Sequence, residues 1–176
     1  MEQPNAKWSL RREHSANRPQ SSAGLLGQLK SVVEATGAMS IASYQPLESE
    51  PDVSEFNSWA ESSFAVYYPL VTGENLTFAK TPLVTGSFGI QEPTGPHLEL
   101  AEIDLILIPA LAVDMEGHRV GKGRGFYDRA LERIEHENLY AVVFDSELVL
   151  QVPHQAHDKK VSGIVTPTRV LRVSAR

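Results

Sequence analysis

The stretch 104–131, DLILIPALAVDMEGHRVGKGRGFYDRAL, decides how this chain of 176 residues folds. It opens with DLILIP, residues 104–109, a continuous apolar run that is typical of a central strand covered on both faces. Glycine then occupies positions 121, 123 and 125, ahead of a helical pattern. Because backbone N–H groups and a helix start both favour an anion, the stretch predicts a buried strand followed by a phosphate-binding loop.

The rest of the chain alternates between helical and strand patterns. Helices are predicted over 22–36, over 51–63 with Pro51 opening it, and from about Gly125 to His136. Strands are predicted at 39–44, 64–68, 76–80, 104–109, 139–144, 161–166 and 169–173, with Pro69 closing the second. This order predicts an α/β fold, a three-layer α/β/α sandwich with a mainly parallel, Rossmann-like sheet. We expect the glycine-rich loop to follow strand 104–109 directly, at the carboxyl edge where such sheets bind ligands.

Composition narrows the class of protein. The length and an apolar content of 41% favour one compact domain over residues 1–176. A formal net charge of -6 argues against nucleic-acid and membrane partners, so an anion site must arise from local arrangement. The chain has no cysteine, a charged start, and an apolar run at 105–113 that is too short to span a bilayer. These features indicate a cytoplasmic protein.

Two known phosphate-binding patterns do not fit the loop. GHRVGKG, residues 117–123, has three residues between its first two glycines instead of four, and glycine follows its lysine where a magnesium-binding hydroxyl is needed. The dinucleotide pattern G-x-G-x-x-G fails because the glycines at 121, 123 and 125 are spaced by two. The remaining pattern, G-K-G-R-G, lets the backbone approach a polyanion while Lys122 and Arg124 present charge to it. A solvated, exposed turn is the alternative interpretation.

The stretch 104–131 resembles the signature region of 5-formyltetrahydrofolate cyclo-ligases, also called methenyltetrahydrofolate synthetases. Further segments resemble that family in the same order: KWSL at 7–10 followed by Arg11, SYQPLESEPDV at 43–53, GSFGIQEP at 86–93 and VPHQAHDKKV at 152–161. The resemblance implies an ATP-dependent, magnesium-requiring conversion of 5-formyltetrahydrofolate to 5,10-methenyltetrahydrofolate, with release of ADP and phosphate. It also implies an imidoyl phosphate intermediate.

The resemblance implies roles for individual residues. The expected ATP-binding residues are Lys7, Arg11, Arg119, Gly121, Lys122, Gly123, Arg124, Gly125, Phe126 and Tyr127. The expected folate-binding residues are Tyr44, Glu50, Phe88, Lys122, Gly123, Arg124, Gly125 and Phe126. Asp128 and Asp158 are the expected Mg²⁺ ligands, and Lys122 and Arg124 the expected catalytic residues. A short N-terminal helix, about 5–14, is expected to pack over the nucleotide site of a monomer.

Several alternatives stay open. Tyr44 and Phe88 suit a hydrophobic core as well as a pterin contact. His154 and His157 have a spacing that a zinc site on a helix could use, although no cysteine accompanies them. A noncatalytic nucleotide- or folate-binding module would keep the same fold and loop. The chain also departs from the family pattern, with Pro19 interrupting the N-terminal helix and Lys122 in place of the commoner arginine.

Overall fold

The computed structural model describes residues 7, 9, 10, 12, 13, 21–86, 89, 91–132, 134–155 and 158–173. An eight-stranded sheet lies at the centre, with a three-stranded and a two-stranded sheet beside it. The central strands are β1 (Ser40–Ala42), β2 (Ala65–Thr72), β3 (Asn75–Lys80), β6 (His97–Leu98), β7 (Leu105–Pro109), β10 (Leu139–Val142), β12 (Gly163–Val165) and β13 (Val170–Arg172). The smaller sheets contain β8 (Ala112–Asp114), β9 (Arg119–Val120) and β11 (Leu148–Val149), and β4 (Leu83–Thr85) with β5 (Gln91–Pro93).

The central sheet has the strand order β13-β12-β10-β7-β1-β2-β3-β6. Neighbours from β12 to β2 pair in parallel, whereas β13, β3 and β6 pair antiparallel at the two edges. The predicted α/β fold with a mainly parallel sheet is therefore confirmed. The chain proceeds from β1 to β2 on one side and returns to β7 on the other side of β1. This reversal opens a crevice beyond the carboxyl ends of β1 and β7, where α/β sheets bind ligands.

Side chains on β7 separate two hydrophobic cores, because successive residues of a strand face opposite sides of the sheet. Leu105 and Leu107 pack with helices α1 (Leu25–Thr36) and α2 (Ser54–Glu61) on one face. Ile106 and Ile108 pack on the other face, which the short helix α3 (Phe126–Leu131) and the three-stranded sheet cover. Within the described residues, no helix is long and apolar enough to cross a membrane.

Several predicted boundaries were wrong. Strand β2 continues through Pro69, which pairs with Phe78 of β3. Proline is tolerated there because β1 pairs only with residues 65–67, so a missing N–H breaks no second ladder. Helix α2 begins at Ser54 and not at Pro51, whose carbonyl accepts the Tyr44 hydroxyl. Helix α3 ends at Leu131, well before His136.

The sequence predicted that the glycine-rich loop follows β7 directly, and this prediction was wrong. The hairpin β8–β9 stands between the strand and the loop. Its strands are only two or three residues long, and so they carry no alternating pattern by which a sequence reveals a strand. The hairpin moves the loop from the end of β7 toward the crevice beside β1.

Candidate functional site

Glycine is required for the backbone path of the loop 121–125 between β9 and α3. Gly123 and Gly125 have φ angles of 94° and 68°, a left-handed conformation that other residues rarely adopt. A Cβ at position 125 would also lie 2.7 Å from Arg129 Nη1. Arg129 in turn donates two hydrogen bonds, of 2.9 and 2.7 Å, to the Glu74 carbonyl in the β2–β3 turn. The loop is therefore shaped by its glycines and anchored through α3.

Lys122 and Glu50 meet at the crevice. Lys122 Nζ lies 2.7 Å from Glu50 Oε1, and the two side chains are 40% and 6% exposed. The other carboxylate oxygen of Glu50 accepts a 2.9 Å hydrogen bond from the Leu47 amide. Glu50 follows β1 and Lys122 lies beyond β7, so this ion pair joins the two strands at which the chain changes direction. The structure thus brings together one predicted catalytic residue and one predicted folate-binding residue.

Arg119 is held from two sides at the other end of the loop. Its side chain is only 5% exposed, its Nη2 lies 2.6 Å from Asp128 Oδ1, and its Nη1 donates to the Lys159 carbonyl. Burial lowers the pKa of Arg119, and the negative charges of Asp128 and Asp158 oppose that shift. The negative charges of both predicted Mg²⁺ ligands therefore act on the Arg119 guanidinium.

Lys7 brings the N-terminal segment to this end of the site. It forms an ion pair with Asp158, whose carboxylate also accepts a 2.8 Å hydrogen bond from the Gln155 amide. Leu10 packs beside a small core that includes Val120 and Val152. Arg11, the second predicted cation of this segment, lies outside the described residues, as do Phe88 and His157.

Arg124 differs from the other basic residues at the loop. It is exposed, and within the part of the chain that the structure describes it has no hydrogen bond or ion pair. Lys7, Arg119 and Lys122, in contrast, are each paired with a carboxylate. An incoming polyanion would meet Arg124 unpaired, and would have to compete with carboxylates for the other cations.

Two aromatic residues follow the last glycine of the loop. Burial raises the pKa of the Tyr127 hydroxyl, and the nearby charge of Glu50 raises it further, while Arg119 lowers it. This phenol therefore stays protonated and can act as a neutral hydrogen-bond donor between the two ends of the loop. Phe126 is half-buried, and the Arg129 guanidinium lies 5.3 Å from its ring centroid.

Tyr44 belongs to the hydrophobic core, although the sequence left its role open. Its side chain is buried and its hydroxyl donates a 2.8 Å hydrogen bond to the Pro51 carbonyl. The Tyr44 carbonyl accepts a 2.9 Å hydrogen bond from the Asn57 amide group. These contacts give Tyr44 the role of shaping the loop that carries Glu50.

An open cavity lies next to Glu50 at the carboxyl edge of the sheet. It is lined by Ser22, Pro46, Leu47, Glu48, Glu50, Asp52, Ser54 and Phe144. Phe144, which sequence reasoning did not single out, follows β10 and contributes an apolar wall. Its position at the end of a predicted strand was the signal that could have identified it, because ligands bind beyond strand ends.

The described residues contain no group of three or more His, Cys, Asp or Glu side chains that could hold a metal ion. Asp128 and Asp158 nevertheless provide hard oxygen ligands of the kind Mg²⁺ prefers, and that ion often takes only one or two carboxylates beside phosphate and water. His154 stacks on His118, with ring centroids 3.5 Å apart. The zinc alternative also needs His157, which lies outside the described residues.

The fold and the site define an α/β protein with a glycine-rich, cation-bearing loop at the crevice where the strand order reverses. Residues 5–167 match the 5-formyltetrahydrofolate cyclo-ligase family, and the chain belongs to that family.

Curated relatives and solved structures agree with this assignment. The 5-formyltetrahydrofolate cyclo-ligase of Mycolicibacterium smegmatis is 34% identical over 143 residues, covering 73% of this chain and 74% of the relative. That of Haemophilus influenzae is 31% identical over 148 residues, covering 76% and 79%. The NMR structure of Aquifex aeolicus 5,10-methenyltetrahydrofolate synthetase superposes with a TM-score of 0.81 at 27% identity, over 97% of this chain and 93% of that one. The structure of the Mycoplasma pneumoniae 5,10-methenyltetrahydrofolate synthetase shares the fold. It superposes with a TM-score of 0.71 at 18% identity, over 95% of this chain and 99% of that one.

Proposed function

We propose that this protein is a 5-formyltetrahydrofolate cyclo-ligase that uses magnesium and ATP to form 5,10-methenyltetrahydrofolate. The observation that carries the proposal is the 2.7 Å ion pair between Lys122 and Glu50. It joins the glycine-rich loop, which suits a triphosphate, to a nearly buried carboxylate at the edge of a cavity. A reaction between a nucleotide and a folate needs both sites within reach of each other.

The cyclisation follows a balanced sequence of bond changes. The formyl oxygen attacks the γ-phosphorus, the bond from that phosphorus to the β-γ bridging oxygen breaks, and ADP leaves. The N10 lone pair then attacks the activated formyl carbon, N10 loses its proton, and phosphate departs with the former formyl oxygen. Because phosphoryl transfer depends on positioning and charge neutralisation, Lys122 and Arg124 act by stabilising charge on the phosphoryl group.

Nucleotide binding requires the loop cations to exchange partners. Lys7 and Arg119 are paired with Asp158 and Asp128, the two residues expected to hold Mg²⁺. When bound, Mg²⁺ would neutralise phosphate charge. Asp128 and Asp158 would be the residues that hold the ion, and Lys7 and Arg119 would then be available to the phosphates. The arrangement therefore favours the magnesium complex of ATP over free ATP.

Folate binding would break the remaining ion pair, between Lys122 and Glu50. A pterin presents amino and ring N–H groups, for which the Glu50 carboxylate is a suitable acceptor. The cavity beside Glu50 has Phe144 as an apolar wall for a flat ring. When Glu50 binds the pterin, Lys122 is released toward the phosphates, so folate and ATP should each strengthen the binding of the other.

The test mixes the protein with magnesium, ATP and 5-formyltetrahydrofolate and follows the absorbance of the methenyl product together with ADP. Methenyl product and ADP in equal amounts support the cyclo-ligase. ATP binding without either product supports a noncatalytic module and contradicts the proposal. ADP with a phosphorylated, uncyclised compound indicates a small-molecule kinase. Arg124→Ala should lower the formation of both products, since Arg124 is proposed to stabilise the phosphoryl group, and it removes a cation that has no partner in the described chain.

The single domain over 1–176, the N-terminal helix over the nucleotide site, the monomeric state and the cytoplasmic location stay predictions. The contact between Lys7 and Asp158 supports the placement of the N-terminal helix.

A further inference from the structure

Four residues beside the loop form a closed ring of contacts that the proposed reaction does not use directly. Asp114 Oδ2 lies 3.3 Å from His118 Nδ1 and accepts a 2.9 Å hydrogen bond from the Val152 amide. The His118 and His154 rings stack with centroids 3.5 Å apart and planes 5° apart. His154 Nδ1 lies 3.1 Å from the Val152 carbonyl, which closes the ring.

The ring joins two separate parts of the chain. Asp114 and His118 belong to the β8–β9 hairpin and are buried, and Asp114 Oδ1 also accepts hydrogen bonds of 3.0 Å from the amides of Glu116 and His118. Val152 and His154 begin the segment 152–161. The Val152 side chain is buried, whereas His154 is exposed, so the stack is the outermost contact of the ring.

The far end of segment 152–161 is fastened to the same hairpin. The Val161 amide donates a 2.9 Å hydrogen bond to the Gly117 carbonyl. Gly117 has a φ of 86°, and a Cβ there would lie 2.5 Å from the Val161 carbonyl oxygen. Between the two fastened ends lie Asp158, which binds Lys7, and Lys159, whose carbonyl accepts the Arg119 guanidinium.

We propose that the His118–His154 stack is a positioning pair that holds residues 152–155 and 158–161, the described part of segment 152–161, against the β8–β9 hairpin. Through that segment it sets where Asp158 meets Lys7 and where the Lys159 carbonyl meets Arg119, and hence the geometry in which Arg119 receives the phosphates. The last step rests on the proposed function, whereas the attachment of the segment does not. His154 is the member to alter, since its exposed ring can be removed without opening a cavity in the core.

The experiment compares His154→Ala, His154→Phe and the control Gln155→Ala, which alters an exposed side chain in the same segment. Backbone hydrogen exchange is measured at the amides of Val152 and Val161, with β7 as the reference. His154→Ala should exchange faster at both amides, because local opening becomes easier. His154→Phe keeps a stacking ring and should restore most of the protection, and Gln155→Ala should match the wild type.

The dissociation constant of the magnesium–ATP complex is measured on the same proteins. His154→Ala should raise it by about 3- to 30-fold, the range expected when a residue outside the site alters its geometry, while kcat at saturating ATP changes little. His154→Phe should lie close to the wild type. If His154 only stabilised the fold, His154→Ala would lower kcat or unfold the protein, and His154→Phe would not restore the binding of magnesium–ATP.

Unchanged hydrogen exchange in His154→Ala would overturn the proposal. An unchanged dissociation constant, in a protein that binds magnesium–ATP, would overturn its second step. If the wild type binds no magnesium–ATP, the proposed function fails, and the exchange measurement still decides whether the stack holds the segment.

Discussion

The two ends of the glycine-rich loop hold their cations in opposite ways. Arg119, at the start, is 5% exposed and fixed between Asp128 and the Lys159 carbonyl. Lys122 and Arg124, toward the other end, are exposed, and Lys122 is paired with Glu50 across the crevice. Contacts within the fold orient Arg119, whereas the group that lies in the crevice orients Lys122 and Arg124.

This difference assigns different work to the two ends. The Lys159 carbonyl would still hold the Arg119 guanidinium after Asp128 turns away, so Arg119 loses little conformational entropy when phosphate binds and suits ground-state binding of the nucleotide. Lys122 can leave Glu50 for the phosphoryl group as charge moves during the reaction. Groups that act on developing charge raise kcat, whereas groups that bind substrate and transition state equally lower KM. We therefore expect mutations at the two ends to separate along these kinetic constants.

The largest effect is expected at Lys122. Lys122→Ala should lower kcat by about 100-fold or more, because it removes the cation that we propose stabilises the phosphoryl group during transfer. Saturating ATP should not restore the rate, since the loss lies in the transition state. Steady-state kinetics across a range of ATP concentrations measures this. Lys122→Arg, which keeps the charge, is the matched control and should retain most of the activity.

Arg124→Ala is expected to lower kcat in the same way, and it leaves no carboxylate without its partner. Near-normal turnover in either alanine variant, with the fold intact by circular dichroism, removes that residue from the mechanism and ends the distinction between the two ends.

An intermediate effect is expected at Arg119. Arg119→Ala should raise KM for ATP by about tenfold or more and lower kcat less than Lys122→Ala does, so that excess ATP recovers much of the rate. It should also reduce the free energy of unfolding by about 1–3 kcal/mol, since charged hydrogen bonds to Asp128 and Lys159 are lost. Denaturant unfolding and ATP titration measure the two effects. A fall in kcat with unchanged KM would reverse the roles assigned to the two ends.

The core of the fold could be predicted from the sequence, because long patterns carry strong signals. Residues 104–109 read as a central strand, and the apolar face of 22–36 as a helix, and both are observed. Strand β2 was cut short at Pro69 and the hairpin β8–β9 was missed. The pairing that lets β2 continue through Pro69 is not visible in a single sequence, and the strands of the hairpin are too short to show an alternating pattern.

The structure brings several of the predicted site residues together, but the sequence did not show how they pair. Lys122, Arg119 and Glu50 stay predicted site residues. The ion pairs Lys122–Glu50 and Lys7–Asp158 join segments that lie far apart in the sequence, and so a single sequence does not reveal them. Phe144 and the His118–His154 stack were missed for the same reason. From the sequence, His154 was a possible zinc ligand. Its stacking partner, His118, lies on another element of the fold.

The smallest effect is expected at Asp128, which pairs with Arg119 and is a proposed Mg²⁺ ligand. Asp128→Asn keeps the shape of the side chain and removes its charge. Asp128 is 58% exposed, so the loss of its ion pair with Arg119 should change the free energy of unfolding by less than about 1 kcal/mol. The Mg²⁺ concentration for half-maximal activity should rise about fivefold, the equivalent of about 1 kcal/mol for one charge interaction in water. Activity measured against free Mg²⁺ at fixed ATP tests this.

Asp145→Asn provides the comparison, because Asp145 also accepts a hydrogen bond from an arginine, Arg169, and its other described partners are the Thr166 and Thr168 hydroxyls rather than residues of the loop. It should leave the Mg²⁺ requirement unchanged. Equal metal dependence in Asp128→Asn and the wild type would remove Asp128 from the metal site and leave it only the task of holding Arg119. In that case the fixed end of the loop would be ordered entirely by protein contacts, and the contrast with Lys122 would become sharper.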